Sequence, residues 1–137
     1  MAFKLVILTP RKKFFEGEVS LLNIITLAGE TGILANHYPL ISVIKTGALH
    51  FKVDQENRYF ATSGGVISVQ KDQTVLLLET IERPEDIDIT RAQLAKQRAE
   101  NLLKDLSGET DILRAEAALS RALNRIDVYH KYRASND

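Results

Sequence analysis

The chain has 137 residues, 45% of them apolar, which is enough to build a core in one ordinary domain or in two small ones. Eighteen basic residues balance 18 acidic ones, so no overall field draws in nucleic acid or an anionic bilayer, and an electrostatic partner has to be met by a local patch. The absence of cysteine removes disulfides, thiolate metal sites and thiol catalysis together, and fits a reducing compartment.

Residues 1–10 alternate in the manner of a strand. They carry neither the apolar run of a signal peptide nor the Arg/Ser-rich pattern of a transit peptide, and no segment reads as inserting into a membrane. Short β-branched or alternating runs occupy 3–8, 14–22, 24–27, 47–53, 59–62, 65–69 and 74–79, a spacing that predicts an antiparallel β-sandwich or barrel. Pro10, Gly17, the Gly29-Glu30-Thr31-Gly32 stretch, Asn57 and Gly64-Gly65 stand between these runs and are read as reversals or positions of positive φ. Gly29 and Gly32 do not make a phosphate loop: Ile33-Leu34 follows where a Walker loop needs Lys-Ser/Thr. Ser63-Gly64-Gly65 lacks the flanks of a nucleophile elbow. His37, His50 and His130 are too scattered for metal-ligand spacing and are read as structural hydrogen-bonding groups.

After Pro84 the apolar period changes from two to about 3.6. Ala92, Ala95, Ala99, Leu102 and Leu106 form one stripe, with Asp86 or Asp88 as N-cap and Ser107-Gly108 as the stop. A second helix starts near Thr110 or Asp111, with the stripe Ile112, Ala115, Leu119, Ala122, Ile126 and Tyr129. Two such stripes joined by a tight turn predict an antiparallel two-helix hairpin. The hairpin has little core of its own, so it leans on something or leaves it. Arg83, Pro84, Glu85 and Asp86 form the candidate hinge, dividing the chain into a β-sandwich domain at 1–83 and a helical hairpin at 84–137.

The hairpin also carries two basic stripes, Arg91 with Arg98 on the first helix and Arg114, Arg121 and Arg125 on the second. Residues 91–136 hold nine Lys/Arg against six Asp/Glu. One reading is a solvated face with intrahelical pairs. The other is an anion site, because arginine forks bind phosphate bidentately and arginines from both helices can converge on a polyphosphate.

The run Gly29-Glu30-Thr31-Gly32-Ile33-Leu34-Ala35-Asn36-His37-Tyr38-Pro39-Leu40 resembles the Gly-x-x-Gly-x-Leu-x-x-His-x-Pro-Leu segment of epsilon subunits of F-type ATP synthases. Leu5 with Thr9-Pro10, Gly47-Ala48-Leu49 and Ser63-Gly64-Gly65-Val66 extend the resemblance over essentially the whole chain. It implies a sandwich that docks on the gamma subunit and the ring of membrane c subunits. It also implies a hairpin that lies folded on the sandwich or extends along gamma, meets the beta subunit with its basic residues and blocks ATP hydrolysis. Ile87-Asp88-Ile89-Thr90-Arg91-Ala92 is similar to the Ile/Leu-Asp-x-x-Arg-Ala motif that opens an ATP site in bacillus-type members. By that resemblance Arg91, Arg98, Arg121 and Arg125 would take the phosphates. Asp88 and Ala92 would stand near the adenine and ribose, with Ile87 in the motif and Glu82 assisting before the hinge. No cofactor is implied, and ATP would act as a regulatory ligand that is not hydrolysed. The implied role is a non-catalytic rotor subunit, peripheral on the cytoplasmic face of the bacterial membrane. A free-standing ATP-sensing module and a weak ATPase are the rival readings.

Overall fold

The computed structural model describes residues 1–105 and 109–133. Ten strands come first: β1 (Phe3–Leu8), β2 (Lys13–Val19), β3 (Leu21–Thr26), β4 (Gly29–Ile33), β5 (Leu40–Ile44), β6 (Gly47–Val53), β7 (Glu56–Thr62), β8 (Gly65–Val69), β9 (Thr74–Leu78) and β10 (Ile81–Glu82). A 3-10 turn (Pro84–Asp86) then leads into helices α1 (Ile89–Asp105) and α2 (Glu109–Tyr132). The hydrogen-bonded order is β10-β7-β6-β3-β5-β8-β9-β1-β2, with β4 added to β3. Neighbours run antiparallel except β1 and β9, which pair in parallel, Leu5 opposite Thr74 and Leu8 opposite Leu77.

The sheet folds over so that β2 faces β6 and β7. The Phe15 ring meets Phe51 at 4.6 Å between centroids, and Phe14 meets Phe60 edge-on at 5.5 Å, arrangements that suit the ring quadrupoles. Leu5, Ile7, Leu22, Ile24, Leu49, Phe51, Ile67 and Leu76 fill the interior. The strand period of two sends these side chains inward and their neighbours outward. The predicted β-sandwich followed by two helices is thus the observed architecture.

Several local expectations are corrected. The run at 14–22 breaks at Ser20 into β2 and β3, and the run at 24–27 is the second half of β3. Gly29-Glu30-Thr31-Gly32 is strand rather than turn, in register with β3 from Gly29 opposite Thr26 to Gly32 opposite Asn23. Only Gly29 in it has positive φ, 106°. Gly17 and Asn57 lie inside β2 and β7. The reversal assigned to Asn57 is made two to three residues earlier by Asp54 and Gln55, at φ 50° and 71°, a left-handed pair of the kind that two-residue hairpins need.

The two helices are antiparallel neighbours with Ala92 and Ala99 on α1 and Ala115 and Ala122 on α2 buried. Small side chains seven apart keep the two backbones close along matching faces. The α1 stripe is rotated from the predicted one: Leu103 is half-buried while Leu102 is 46% exposed, because a true 3.6 period drifts past strict three-and-four stepping. Asp88 rather than Asp86 caps α1, its Oδ1 accepting from the Arg91 backbone N–H at 3.0 Å. α2 starts at Glu109, just before Thr110 and Asp111. Leu106, the Ser107-Gly108 stop and the Thr110 side chain lie outside the described residues. No helix among the described residues is long and apolar enough to cross a membrane.

Candidate functional site

Helix α2 meets the sandwich along a seam formed by β6, β7, β10 and the 3-10 turn. Arg125 reaches across it, its Nε donating to Glu82 Oε1 at 2.5 Å, with both side chains 31% exposed. Beside this pair the Asn124 amide donates to the Gly47 carbonyl at 2.9 Å and, more weakly, to the Thr62 carbonyl at 3.4 Å. Thr62 Oγ1 donates to the Thr80 carbonyl, and the Ser63 and Thr80 hydroxyls share a 2.7 Å hydrogen bond. Arg121 joins Ser63, Thr80, Glu82, Asn124 and Arg125 around a crevice too tight to hold a water molecule. Two guanidinium groups and one carboxylate meet there, and an anion would reach the arginines only from the rim or by displacing Glu82.

Of the eight residues singled out from the sequence, Glu82, Arg121 and Arg125 come together here. Ile87 is buried against Ala61 and Val128. Asp88 caps α1, and Ala92 is buried on that helix. Arg91 is exposed beside the cap. Arg98 is also exposed and lines a separate shallow groove between Leu94 and Leu102, away from the crevice. Among the described residues the ion pairs on the hairpin are of two kinds, Arg125 to Glu82 across the seam and Lys131 to Asp127 within α2 at 3.6 Å.

Sequence reading missed Asn124, Val128 and Tyr132. Val128 is 1% exposed, a burial worth about 1.5–3 kcal/mol. The Tyr132 ring stacks on Tyr59 at 4.1 Å with only 2° between the planes, and Tyr59 in turn leans on His50 at 4.9 Å. Their i, i+4, i+8 spacing was the available signal, masked by the polar residue that begins it.

His50 carries a pH dependence. Burial holds its imidazole below the ordinary value, Glu30 opposing and Lys52 adding to the effect. The unfolded chain therefore takes up the proton first as pH falls. Stability is full above the unfolded value of about 6.5 and declines as pH drops below it, until the folded imidazole also titrates. Urea unfolding at a series of pH values is expected to show this decline in the wild type and a shallower one in His50→Gln.

A second surface lies on the outer face of the sandwich. Val43, Val66 and Leu77 stand opposite one another across β5, β8 and β9 at 47%, 38% and 53% exposure, and Leu8 of β1 continues the row. Ile41 adds to it two residues along β5. A contiguous apolar row on an outer sheet face is a candidate surface for contact with another molecule.

Residues 2–84 match the family model for the beta-sandwich domain of the ATP synthase Delta/Epsilon chain, and residues 85–129 match that for its long alpha-helix domain. The chain belongs to the ATP synthase delta/epsilon family. An ATP synthase epsilon chain of Caldanaerobacter subterraneus subsp. tengcongensis is 42% identical over 131 residues, 95% of each chain. One from Bacillus velezensis is 40% identical over 125 residues, 91% of this chain and 95% of the relative. The fold recurs in a chain of the Euglena gracilis mitochondrial ATP synthase at TM-score 0.78 and 19% identity, covering 99% of this chain and 82% of that one. It recurs again in a chain of the central stalk and c-ring structure of the Tetrahymena thermophila mitochondrial ATP synthase, at TM-score 0.71 and 16% identity, covering 94% of this chain and 97% of that one. As an epsilon chain of this family, the protein is a non-catalytic subunit of the synthase.

Proposed function

We propose that the chain is the central-stalk rotor subunit of a bacterial proton-translocating F-type ATP synthase, peripheral on the cytoplasmic face of the membrane. In this reading the sandwich docks on the gamma subunit and the c ring. The hairpin restrains ATP hydrolysis when it extends toward the beta subunit, and ATP bound without hydrolysis keeps it folded. The observation that carries the proposal is the Glu82, Arg121 and Arg125 cluster on the seam between the two parts. A ligand bound there contacts α2 only while α2 lies against β10, so it has differential affinity for the folded arrangement, which is what a population shift requires. Turnover is not expected of this site. Phosphoryl transfer needs cations clamping the phosphates and a group to orient the nucleophile, whereas Glu82 is tied to Arg125 and the described residues hold no cluster of three or more potential metal ligands.

Docking supplies the direct test. Val66→Glu combined with Leu77→Glu places two carboxylates in the exposed apolar row and none in the core. The double variant is expected to keep its circular dichroism spectrum and lose co-assembly with gamma and the c ring by tenfold or more, about 1.4 kcal/mol. Undiminished co-assembly would remove this face from the interface. A wild-type chain that never co-purifies with gamma would return the protein to the free-standing sensor reading.

A further inference from the structure

The seam has a register, and beside the Arg125–Glu82 pair one side chain helps to set it. Asn124, Val128 and Tyr132 recur every four residues and therefore share one face of α2. Each meets a different feature of the sandwich. Asn124 donates to the carbonyls of Gly47 and Thr62, which stand opposite each other in the β6–β7 ladder. Val128 packs on Ala61 and Ile87, and Tyr132 stacks on Tyr59. The apolar contacts resist a shift in part, since a one-turn slide would put Tyr132 or Asn124 where Val128 is 1% exposed. The amide contact resists it through hydrogen bonding. A one-turn slide brings either Val128, which has no donor, or Ser120, whose hydroxyl is shorter, toward the two carbonyls. It also carries the part-buried Asn124 amide away from both carbonyls, and a polar group that loses its partner in a partly desolvated seam is destabilised.

We propose that Asn124 is a register pin, a positioning residue whose donor fixes where α2 docks and so how firmly the hairpin is held down. The logic is that of a single asparagine in an otherwise apolar coiled-coil seam, where one buried amide selects a register that apolar packing leaves open. The inference stands on packing alone and requires neither nucleotide nor assembly partners.

The near-isosteric Asn124→Asp isolates the donor, because above its titration range a carboxylate only accepts and would face two carbonyl oxygens. The chain has no cysteine, so a single thiol introduced by Ala61→Cys beneath the seam reports undocking through its labelling rate. A second thiol, from Val69→Cys in the sandwich core, reports sandwich opening. Adding Asn124→Asp is expected to speed labelling at position 61 by tenfold or more and to leave labelling at position 69 unchanged. An unchanged rate at position 61 would overturn the proposal. Acceleration at both positions would mean that Asn124→Asp opens the sandwich, and Asn124→Ser, which shortens the reach without adding charge, then decides by the same criterion.

Discussion

Gly65→Ala is expected to destabilise the sandwich by about 3 kcal/mol or more and to lower its melting temperature by about 10 °C. Gly65 opens β8, directly opposite Ile44 of β5 and Leu78 of β9. A Cβ built on it falls 1.9 Å from the Leu77 carbonyl oxygen. That neighbour is backbone, so relief requires β9 to move away from β8, and β9 carries the buried Leu76 and Leu78. Overpacking against a flexible side chain is milder. At Gly47 the nearest atom to an added Cβ is Ile25 Cδ1 at 2.5 Å, the end of a chain that can change rotamer, and Gly47→Ala should cost about 1 kcal/mol. Thermal unfolding of the two variants beside the wild type checks the contrast, and equal losses would show that β9 yields more readily than this packing implies.

Calorimetric titration with ATP is expected to give saturable binding that Arg125→Ala weakens at least tenfold. Arg125 offers a charge-assisted fork to phosphate and also ties α2 to Glu82. Losing it removes ligand contacts of about 1.5–3 kcal/mol together with a tether of the folded arrangement. Glu82→Gln separates the two contributions, since it frees the tether and keeps the guanidinium. Arg98→Ala should change affinity little, because Arg98 faces the groove between Leu94 and Leu102. If it weakened binding as much as Arg125→Ala, the nucleotide would have to recruit α1 into a packing different from this one. Absence of binding at millimolar ATP would return all four arginines to contacts with gamma and beta.

The strands read most clearly from sequence were those with one wet and one dry face. β6 is the plain example, with Leu49 and Phe51 inward and His50 and Lys52 more exposed. β5 went unseen because its outward residues Ile41 and Val43 are as apolar as its inward ones, so the period of two disappears. The same apolar outer face that makes β5 a candidate for docking thus concealed it as a strand. β4 was hidden for the opposite reason: two of its five residues are glycines, and its pairing with β3 rather than its composition makes it a strand. Arg121 and Arg125 were legible as one face of a basic stripe, whereas Glu82 was named only through family resemblance, since no local pattern joins residues 43 apart. Asn124 shares the four-residue spacing of Val128 and Tyr132, but its role was not legible from that spacing, because its partners are main-chain carbonyls 77 and 62 residues away.

The parallel pairing of β1 with β9 has a consequence for how the molecule comes into being. The strand that leaves the ribosome first cannot find this neighbour until residues 74–78 have been made, and such distant pairing is intrinsically slow. During synthesis the early hairpins therefore wait with one edge open, and the sandwich closes only when nearly all of its sequence has emerged. The helices are made after that closure becomes available, so α2 meets β6 and β7 as a surface already set in place, and the two parts of the chain are completed in the order in which one must receive the other.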